Sequence, residues 1–242
     1  MISICENTEE LDFLPADPYA ARITALADTY GFGRDFAMFW VQSVGSAPVA
    51  AVSRIDGNVT VCCKENADYD ELSAFLGAVG WSSITAEKSV LSALGIEPAK
   101  ESYTVRFVTP AVCDYSVCDS YNPKEIYELL CQCGFDMGDY NAFLADVCLR
   151  LNKGTAQLAA FADDELLACA FKLFIGRKSV LLGAVATRES ARGRGLASKV
   201  VTSLAASEKE RSVFLFCRED SLLGFYSKIG FAECGRWAIA EK

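Results

Sequence analysis

The segment around residue 193 limits the folds open to this chain more than any other part of the sequence. An apolar run, Ser179 to Thr187, predicts a buried strand, and a helical spacing of apolar residues begins at Leu196. Between them lies Arg192-Gly-Arg-Gly195. Glycine permits tight turns and positive φ angles that other residues avoid. Because the N-terminus of a helix attracts negative charge, this strand–loop–helix unit is predicted to hold an anion.

The second half of the chain alternates between strand and helix patterns, which predicts an α/β fold with a mixed, mostly antiparallel sheet. The predicted helices are Pro123 to Cys133, Asp139 to Leu151 with Asp139 as N-cap, Leu196 to Ala206, and Leu222 to Lys228. The predicted strands are Ala156 to Phe161, Leu166 to Phe174, Ser179 to Thr187, Val213 to Cys217, and Phe231 to Ala240.

The first half repeats part of this order. Its predicted elements are the strands Phe39 to Gln42, Val49 to Ile55, Val59 to Cys63 and Trp81 to Thr85, and the helices Asp70 to Val79 and Lys88 to Leu94. A tandem duplication and a chance likeness between two α/β segments both account for this. The boundary is placed near Thr109 to Val112, giving domains 1–110 and 111–242.

Length and composition indicate a globular protein with an ordinary core. The chain has 242 residues, 52% of them hydrophobic and 23% charged. No apolar stretch approaches the ~20 residues that a membrane-spanning helix needs. The acidic N-terminal segment lacks the basic and then apolar order of a signal peptide. The expectation is a cytoplasmic protein without a membrane partner.

The cysteine and histidine content restricts the chemistry. Eleven cysteines, an odd number, occur without a CxxC pair, and the chain has no histidine. Zinc sites are built from such pairs, commonly with histidine, so no metal is expected and the thiols are interpreted as small buried hydrophobes. The missing histidine also excludes Ser–His and Cys–His nucleophile systems.

The charge is unevenly divided. Residues 1–110 carry a net charge of −8 and residues 111–242 a net charge of −1. An acidic chain without a long basic run is a poor nucleic-acid binder, so no nucleic-acid partner is expected. An anionic ligand is better tolerated by the second half.

The glycine–arginine loop lacks the P-loop pattern GxxxxGK[ST] and the third glycine of the Rossmann pattern GxGxxG. It fits R-x-x-G-x-A, read as Arg192-Gly-Arg-Gly-Leu-Ala197. With this loop, and with Phe225-Tyr-Ser-Lys-Ile-Gly-Phe231 about thirty residues later, residues 111–242 resemble the GCN5-related N-acetyltransferase (GNAT) superfamily. The first half is interpreted as a degenerate GNAT-like unit or a structural partner.

The resemblance implies transfer of an acetyl group from acetyl-CoA directly to a primary amine. It implies that the loop binds the pyrophosphate through backbone N–H groups, and that the end of the preceding strand pairs with the pantetheine arm. The implied cofactor-binding residues are Val185, Ala186, Thr187, Arg192, Gly193, Arg194, Gly195, Leu196, Ala197, Ser198 and Ser221. Ser221 stands where many relatives have an asparagine, which leaves its contact in doubt.

Two catalytic roles also come from the resemblance. The N–H of Val185 would polarise the thioester carbonyl, and Tyr226 would protonate the departing thiolate. A tyrosine that only packs in the core is the alternative for Tyr226. No carboxylate lies within Val180 to Ala186, and Asp163, Glu165 and Glu189 are interpreted as solvated turn charges, so no general base is assigned.

Lys64 to Glu71 stands in the first half where the second half has its loop. Its acidic residues would repel a pyrophosphate, which predicts one CoA site per chain. Two alternatives to the acetyltransferase remain, a non-catalytic acyl-CoA sensor and an acyltransferase that uses another acyl-CoA. The acceptor amine, whether a polyamine, an aminoglycoside or a protein lysine, is not assigned.

Overall fold

A computed structural model describes residues 1–108 and 121–242. The boundary predicted near Thr109 to Val112 lies outside these residues. The helices are α1 (Pro18–Tyr30), α2 (Tyr69–Val79), α3 (Lys88–Ala93), α4 (Pro123–Gln132), α5 (Tyr140–Asn152), α6 (Leu196–Ala206) and α7 (Leu223–Lys228). The strands are β1 (Ile2–Ile4), β2 (Ala37–Val44), β3 (Ala47–Ile55), β4 (Asn58–Cys63), β5 (Ser83–Glu87), β6 (Lys100–Phe107), β7 (Gln157–Asp163), β8 (Glu165–Ile175), β9 (Ser179–Thr187), β10 (Ser212–Phe216) and β11 (Phe231–Glu241).

All eleven strands form one sheet in the order β1-β2-β3-β4-β5-β11-β6-β10-β9-β8-β7. The pairs β4–β5 and β9–β10 are parallel, and the other neighbours are antiparallel. The predicted fold class, a mixed and mostly antiparallel sheet flanked by helices, is therefore confirmed.

The two halves exchange their last strands. The strand β6 of the first half lies between β11 and β10, and the strand β11 of the second half lies between β5 and β6. Because β11 and β6 also pair with each other, through a β-bulge between Glu233 and Gly235, the backbone ladder is continuous across the molecule. Trp237 Nε1 adds a hydrogen bond to Cys217 O at 2.8 Å.

Helix α1 was not predicted, and it connects the halves on one face of the sheet. Asp17 caps it by accepting from the Ala20 N–H at 2.6 Å, Pro18 occupies its first position, and Gly31 ends it with φ 73°. The helix packs on β2, β3 and β4 and also on β8, β9 and β10. Ala21 lies against Leu181 and Phe214. The sheet therefore curves around α1, so that strands of both halves reach it.

Helix α6 is fixed by its apolar face. Leu196, Val200, Val201 and Leu204 are buried in one cluster with residues of β7, β8 and β9, the strands on which α6 packs, among them Ala168 and Leu182. Burying each leucine or valine stabilises the fold by roughly 1.5–3 kcal/mol. This packing holds the N-terminus of α6 at the end of β9.

A buried ion pair secures the other end of α6. Lys172 on β8 is 3% exposed, donates to Ser207 Oγ at 2.8 Å and pairs with Glu208. Burial opposes ionisation of Glu208, but the hydrogen bond and the charge of Lys172 lower the pKa of that carboxyl below its usual value.

Among the helices of residues 1–108 and 121–242, none combines the length and the hydrophobicity that a membrane-spanning helix needs.

Candidate active site

A cleft opens where β9 and β10 diverge. The two strands pair from Ser179–Ser212 to Leu182–Leu215, and the pairing ends there. Beyond this point the end of β9 and the segment after β10 line a cleft of about 410 Å³. Five of the predicted site residues line it, namely Val185, Ala186, Thr187, Arg192 and Tyr226.

A β-bulge shapes the cleft wall on β9. Cys169 pairs with Ala186 and Phe171 with Gly183, so Ala184 and Val185 together oppose a single residue of β8. Ala184 adopts φ 49°, which is uncommon for a residue with a side chain and stores local strain. A Cβ on Gly183 would collide with the end of the Leu173 side chain, so a larger residue there would require Leu173 to move. Together these features give the backbone at Val185 an orientation that differs from that in a regular β-strand.

The glycine–arginine loop follows β9, and of its four residues only Arg192 lines the cleft. Gly193 and Gly195 have φ 78° and φ 76°, and a Cβ at either would meet nothing within 4 Å. Glycine is thus required by backbone conformation rather than by crowding. Gly195 is the N-cap of α6 and no side chain caps this helix. The first N–H groups of a helix have no intrahelical partners, so this end can bind an anion.

The two loop arginines differ in their surroundings. Both are exposed, and Arg192 Nε donates to Thr187 O at 3.4 Å. Arg192 therefore lies over the cleft, whereas Arg194 faces solvent beside it. Leu196 is 3% exposed and belongs to the core, so only its backbone could contact a ligand. Ala197 and Ser198 are half-buried on the first turn of α6.

Tyr226 on α7 is both a core residue and a cleft residue. It is 5% exposed, and its ring centroid lies 5.0 Å from that of Phe225 and 5.9 Å from that of Phe231. Burial, and secondarily the neighbouring Cys217, raise the pKa of this phenol above its usual value. Tyr226 consequently stays protonated at neutral pH and can donate a proton into the cleft.

Sequence reasoning missed the segment that follows β10. Arg218 donates to Cys133 O at 3.1 Å and Gly134 O at 3.0 Å, and its guanidinium lies 5.2 Å from the Phe135 ring centroid. These contacts hold the α4–α5 connection over the cleft. Glu219 is the one carboxylate in the cleft lining within the part of the chain that the structure describes. The sequence signal was a pair of charges directly after a buried strand.

Ser221 does not line the cleft. It is exposed and donates from Oγ to Glu219 Oε2 at 3.3 Å. The charges interpreted as solvated are exposed as well: Asp163 ends β7, Glu165 begins β8, and Glu189 begins a short 3-10 helix after β9. Glu165 forms an ion pair with Arg188 at 3.5 Å.

Comparison with known proteins agrees with this geometry. Residues 164–238 match the family described as FR47-like protein, which belongs to the GNAT superfamily. No curated protein matches the sequence. The resemblance of the second half to the GNAT superfamily, seen in the loop and the aromatic segment, is thereby confirmed.

Solved structures share the fold over the whole chain. An acetyltransferase of the GNAT family from Colwellia psychrerythraea is 13% identical with TM-score 0.57, covering 100% of this chain and 99% of its own. A tandem GNAT protein from the clavulanic acid biosynthesis pathway is 14% identical with TM-score 0.61, covering 100% and 98%. A Drosophila protein is 12% identical with TM-score 0.66, also covering 100% and 98%. The chain therefore has the GNAT acetyltransferase fold from end to end.

Proposed function

We propose that this protein is an N-acetyltransferase that moves an acetyl group from acetyl-CoA directly to a primary amine. The observation that carries the proposal is that three features line one cleft, namely the strained bulge at Ala184, Arg192 of the glycine–arginine loop and the buried Tyr226. The uncapped N-terminus of α6 directly follows this loop.

The loop fits the pyrophosphate of CoA. Gly193 and Gly195 leave open space where side chains would stand, and the first N–H groups of α6 point outward without a cap. Arg192 and Arg194 add positive charge in a chain that is acidic overall. The end of β9, Val185 to Thr187, has no partner in β10 and can pair with an extended pantetheine arm as an added strand.

The transfer itself needs one donor at the carbonyl and one at the sulfur. The Val185 N–H donates to the thioester oxygen, where negative charge develops as the amine nitrogen bonds to the carbonyl carbon. The C–S bond then breaks, and Tyr226 Oη gives its proton to the departing sulfur. The nitrogen loses its own proton to Glu219, directly or through water.

The two halves of the chain have different roles in this proposal. We assign the acetyl-CoA site to residues 111–242 and interpret residues 1–110 as a second GNAT-like unit without one. In support, both halves have the same order of elements: three strands, a helix, a strand parallel to the third, a helix and a last strand. This order runs from β2 to β6 and again from β7 to β11. The two last strands, β6 and β11, are exchanged between the halves.

The test is acetyl-CoA-dependent thiol release with a panel of primary amines, each compared with its alcohol. Release that depends on the amine supports the proposal. CoA binding without release for any amine supports a non-catalytic sensor. Faster release from propionyl-CoA or a longer acyl-CoA supports an acyltransferase with another donor.

A further inference from the structure

A second cavity lies where β4 and β5 diverge, lined mostly by the first half and also by Phe214, Cys234 and Gly235 of β10 and β11. These strands pair in parallel only from Asn58–Ser83 to Thr60–Thr85. Beyond this point Val61 and Cys62 line a cavity of about 240 Å³, together with the first turn of α1. No residue is shared between its lining and that of the acetyl-CoA cleft. The cavity is therefore separate from the site already described.

A carboxylate on the cavity wall has one weak partner. Asp17 Oδ1 accepts from the Ala20 N–H at 2.6 Å, and Oδ2 accepts from the thiol of Cys62 at 3.2 Å. A thiol is a poor hydrogen-bond donor, so Oδ2 would bind a stronger donor better. The N-terminus of α1, which would otherwise attract an anion, is already occupied by this carboxylate.

Two hydroxyl groups in the same wall have no hydrogen bond of good geometry among residues 1–108 and 121–242. Tyr19 is 7% exposed and Thr104 is 5% exposed, and both line the cavity. The two hydroxyls are close enough to interact with each other, and each keeps capacity to accept from a ligand. Buried polar groups of this kind are rare without a bound water or ligand.

We propose that this cavity binds a small primary ammonium ion that carries a short apolar body. An ammonium group has three N–H donors and no acceptor, which matches Asp17 Oδ2, Tyr19 Oη and Thr104 Oγ1. Val61 and Val90 provide apolar contacts for the rest of the ligand. Two charged side chains besides Asp17 line the cavity, Glu87 and Arg106, and Arg106 is exposed and donates to Ser212 Oγ at 3.1 Å. The net charge of −8 on residues 1–110 disfavours anions. The volume, below the ~300 Å³ typical of drug-sized ligands, limits the ligand to a small molecule.

The cavity lies close to the acetyl-CoA cleft, although the two share no lining residue. The Tyr19 ring lies 5.5 Å from the ring of Phe216, centroid to centroid, and Phe216 lines the cleft. One aromatic contact therefore separates the two sites.

The experiment is an NMR titration of the full chain without CoA, using 2-phenylethylamine and its neutral match 2-phenylethanol. We expect the amine to bind at least tenfold more tightly, with shifts at Tyr19 and Thr104. Asp17→Asn keeps the cap on α1 but removes the charge, and should weaken amine binding at least tenfold. The matched control is Asp68→Asn, which alters a helix cap outside the cavity.

Tyr19→Phe separates binding from folding. Removing a hydroxyl that makes no hydrogen bond of good geometry should leave the melting temperature unchanged or raise it, while amine binding falls about fivefold. Equal affinity for the amine and the alcohol, or unchanged affinity in Asp17→Asn, would overturn the proposal and indicate a water-filled cavity. Because CoA is absent, neither outcome bears on the acetyltransferase proposal.

Discussion

The starts of α2 and α6 occupy corresponding places in the two halves, yet they present opposite surfaces. Each helix has eleven residues, and α2 follows β4 as α6 follows β9 in the order of elements that the two halves share. At α6 the N-cap is Gly195 in the left-handed conformation, preceded by two arginines, and no side chain covers the helix end. At α2 the N-cap is Asp68, whose carboxylate accepts from the Glu71 N–H at 3.0 Å.

Further groups close the start of α2. Gln42 donates to Asp68 O at 2.8 Å and accepts from the Asp68 N–H at 3.0 Å. Glu71 accepts from Gln42 and from the Met1 ammonium, and the hydrogen bond from that ammonium, then that from Gln42, lowers the pKa of Glu71 below its usual value. In the function we propose, the same architecture becomes an anion site only where the helix cap is left out. A capped helix end is more stable alone, and an uncapped one is free to bind.

Replacing the uncapped glycine should have the largest effect. Gly195→Val places a β-branched residue at φ 76°, which this side chain avoids, and it adds bulk where the pyrophosphate approaches. We expect the affinity for CoA, measured by calorimetry, to fall about a hundredfold or more (about 2.7 kcal/mol). The circular dichroism spectrum should be unchanged.

The control for this variant is Gly77→Ala. Gly77 lies inside α2 without a positive φ and with open space at its Cβ position, so CoA affinity should not change. Wild-type affinity in a folded Gly195→Val protein would contradict the assignment of the loop.

The aromatic pair on α7 is a second difference between the two halves. The helices α3 and α7 have six residues each, and α7 carries Phe225 and Tyr226 where α3 has no aromatic residue. Tyr226→Phe keeps the ring and removes only the hydroxyl. We expect kcat to fall at least tenfold while the affinity for acetyl-CoA changes little, since general acid catalysis contributes ~10²–10⁴-fold and water can partly replace it.

The control is Tyr69→Phe on α2, which should leave kcat unaltered. If Tyr226→Phe lowers the melting temperature but leaves kcat intact, Tyr226 is a core residue and solvent protonates the sulfur.

Glu219 should contribute less than Tyr226. An amine that loses its proton before binding needs no base, so Glu219→Gln should lower kcat/KM about fivefold at neutral pH and less at higher pH. The exposed Glu189, on the turn before the loop, provides the control Glu189→Gln. Equal kcat/KM values for the two variants at every pH would exclude Glu219 as the base.

Local sequence signals were sufficient to predict the glycine–arginine loop and the two elements that flank it, β9 and α6. The predicted bounds of β9 and α6 agree with the structure, because each is a continuous apolar pattern bounded by turn residues. The strand β5 begins two residues later than predicted, at Ser83 rather than Trp81. Helix α1 was missed although Asp17-Pro18 and Gly31 marked both of its ends.

Long-range pairing could not be predicted. Strand β6 was not predicted, and the periodicity of β11 reports which faces are buried, not which strands lie beside it, so the exchange between halves was invisible. Arg218 and Glu219 reach the cleft because β10 ends beside β9. The position of β10 beside β9 depends on the order of the strands in the sheet, which local sequence patterns do not reveal.

Removing the cap of α2 should have the smallest effect and should separate stability from binding. Asp68→Ala deletes the acceptor for the Glu71 N–H, and the loss of an N-cap costs about 1 kcal/mol of unfolding free energy. Asp68→Asn keeps an acceptor and should cost less. Neither change supplies the left-handed glycine or the arginines of the α6 loop, so neither should create an anion site. Calorimetry should therefore give one CoA per chain, with unchanged affinity, for the wild type and both variants. Saturation at two CoA per chain in any of the three would show that the start of α2 binds CoA and that the acidic cap does not exclude it.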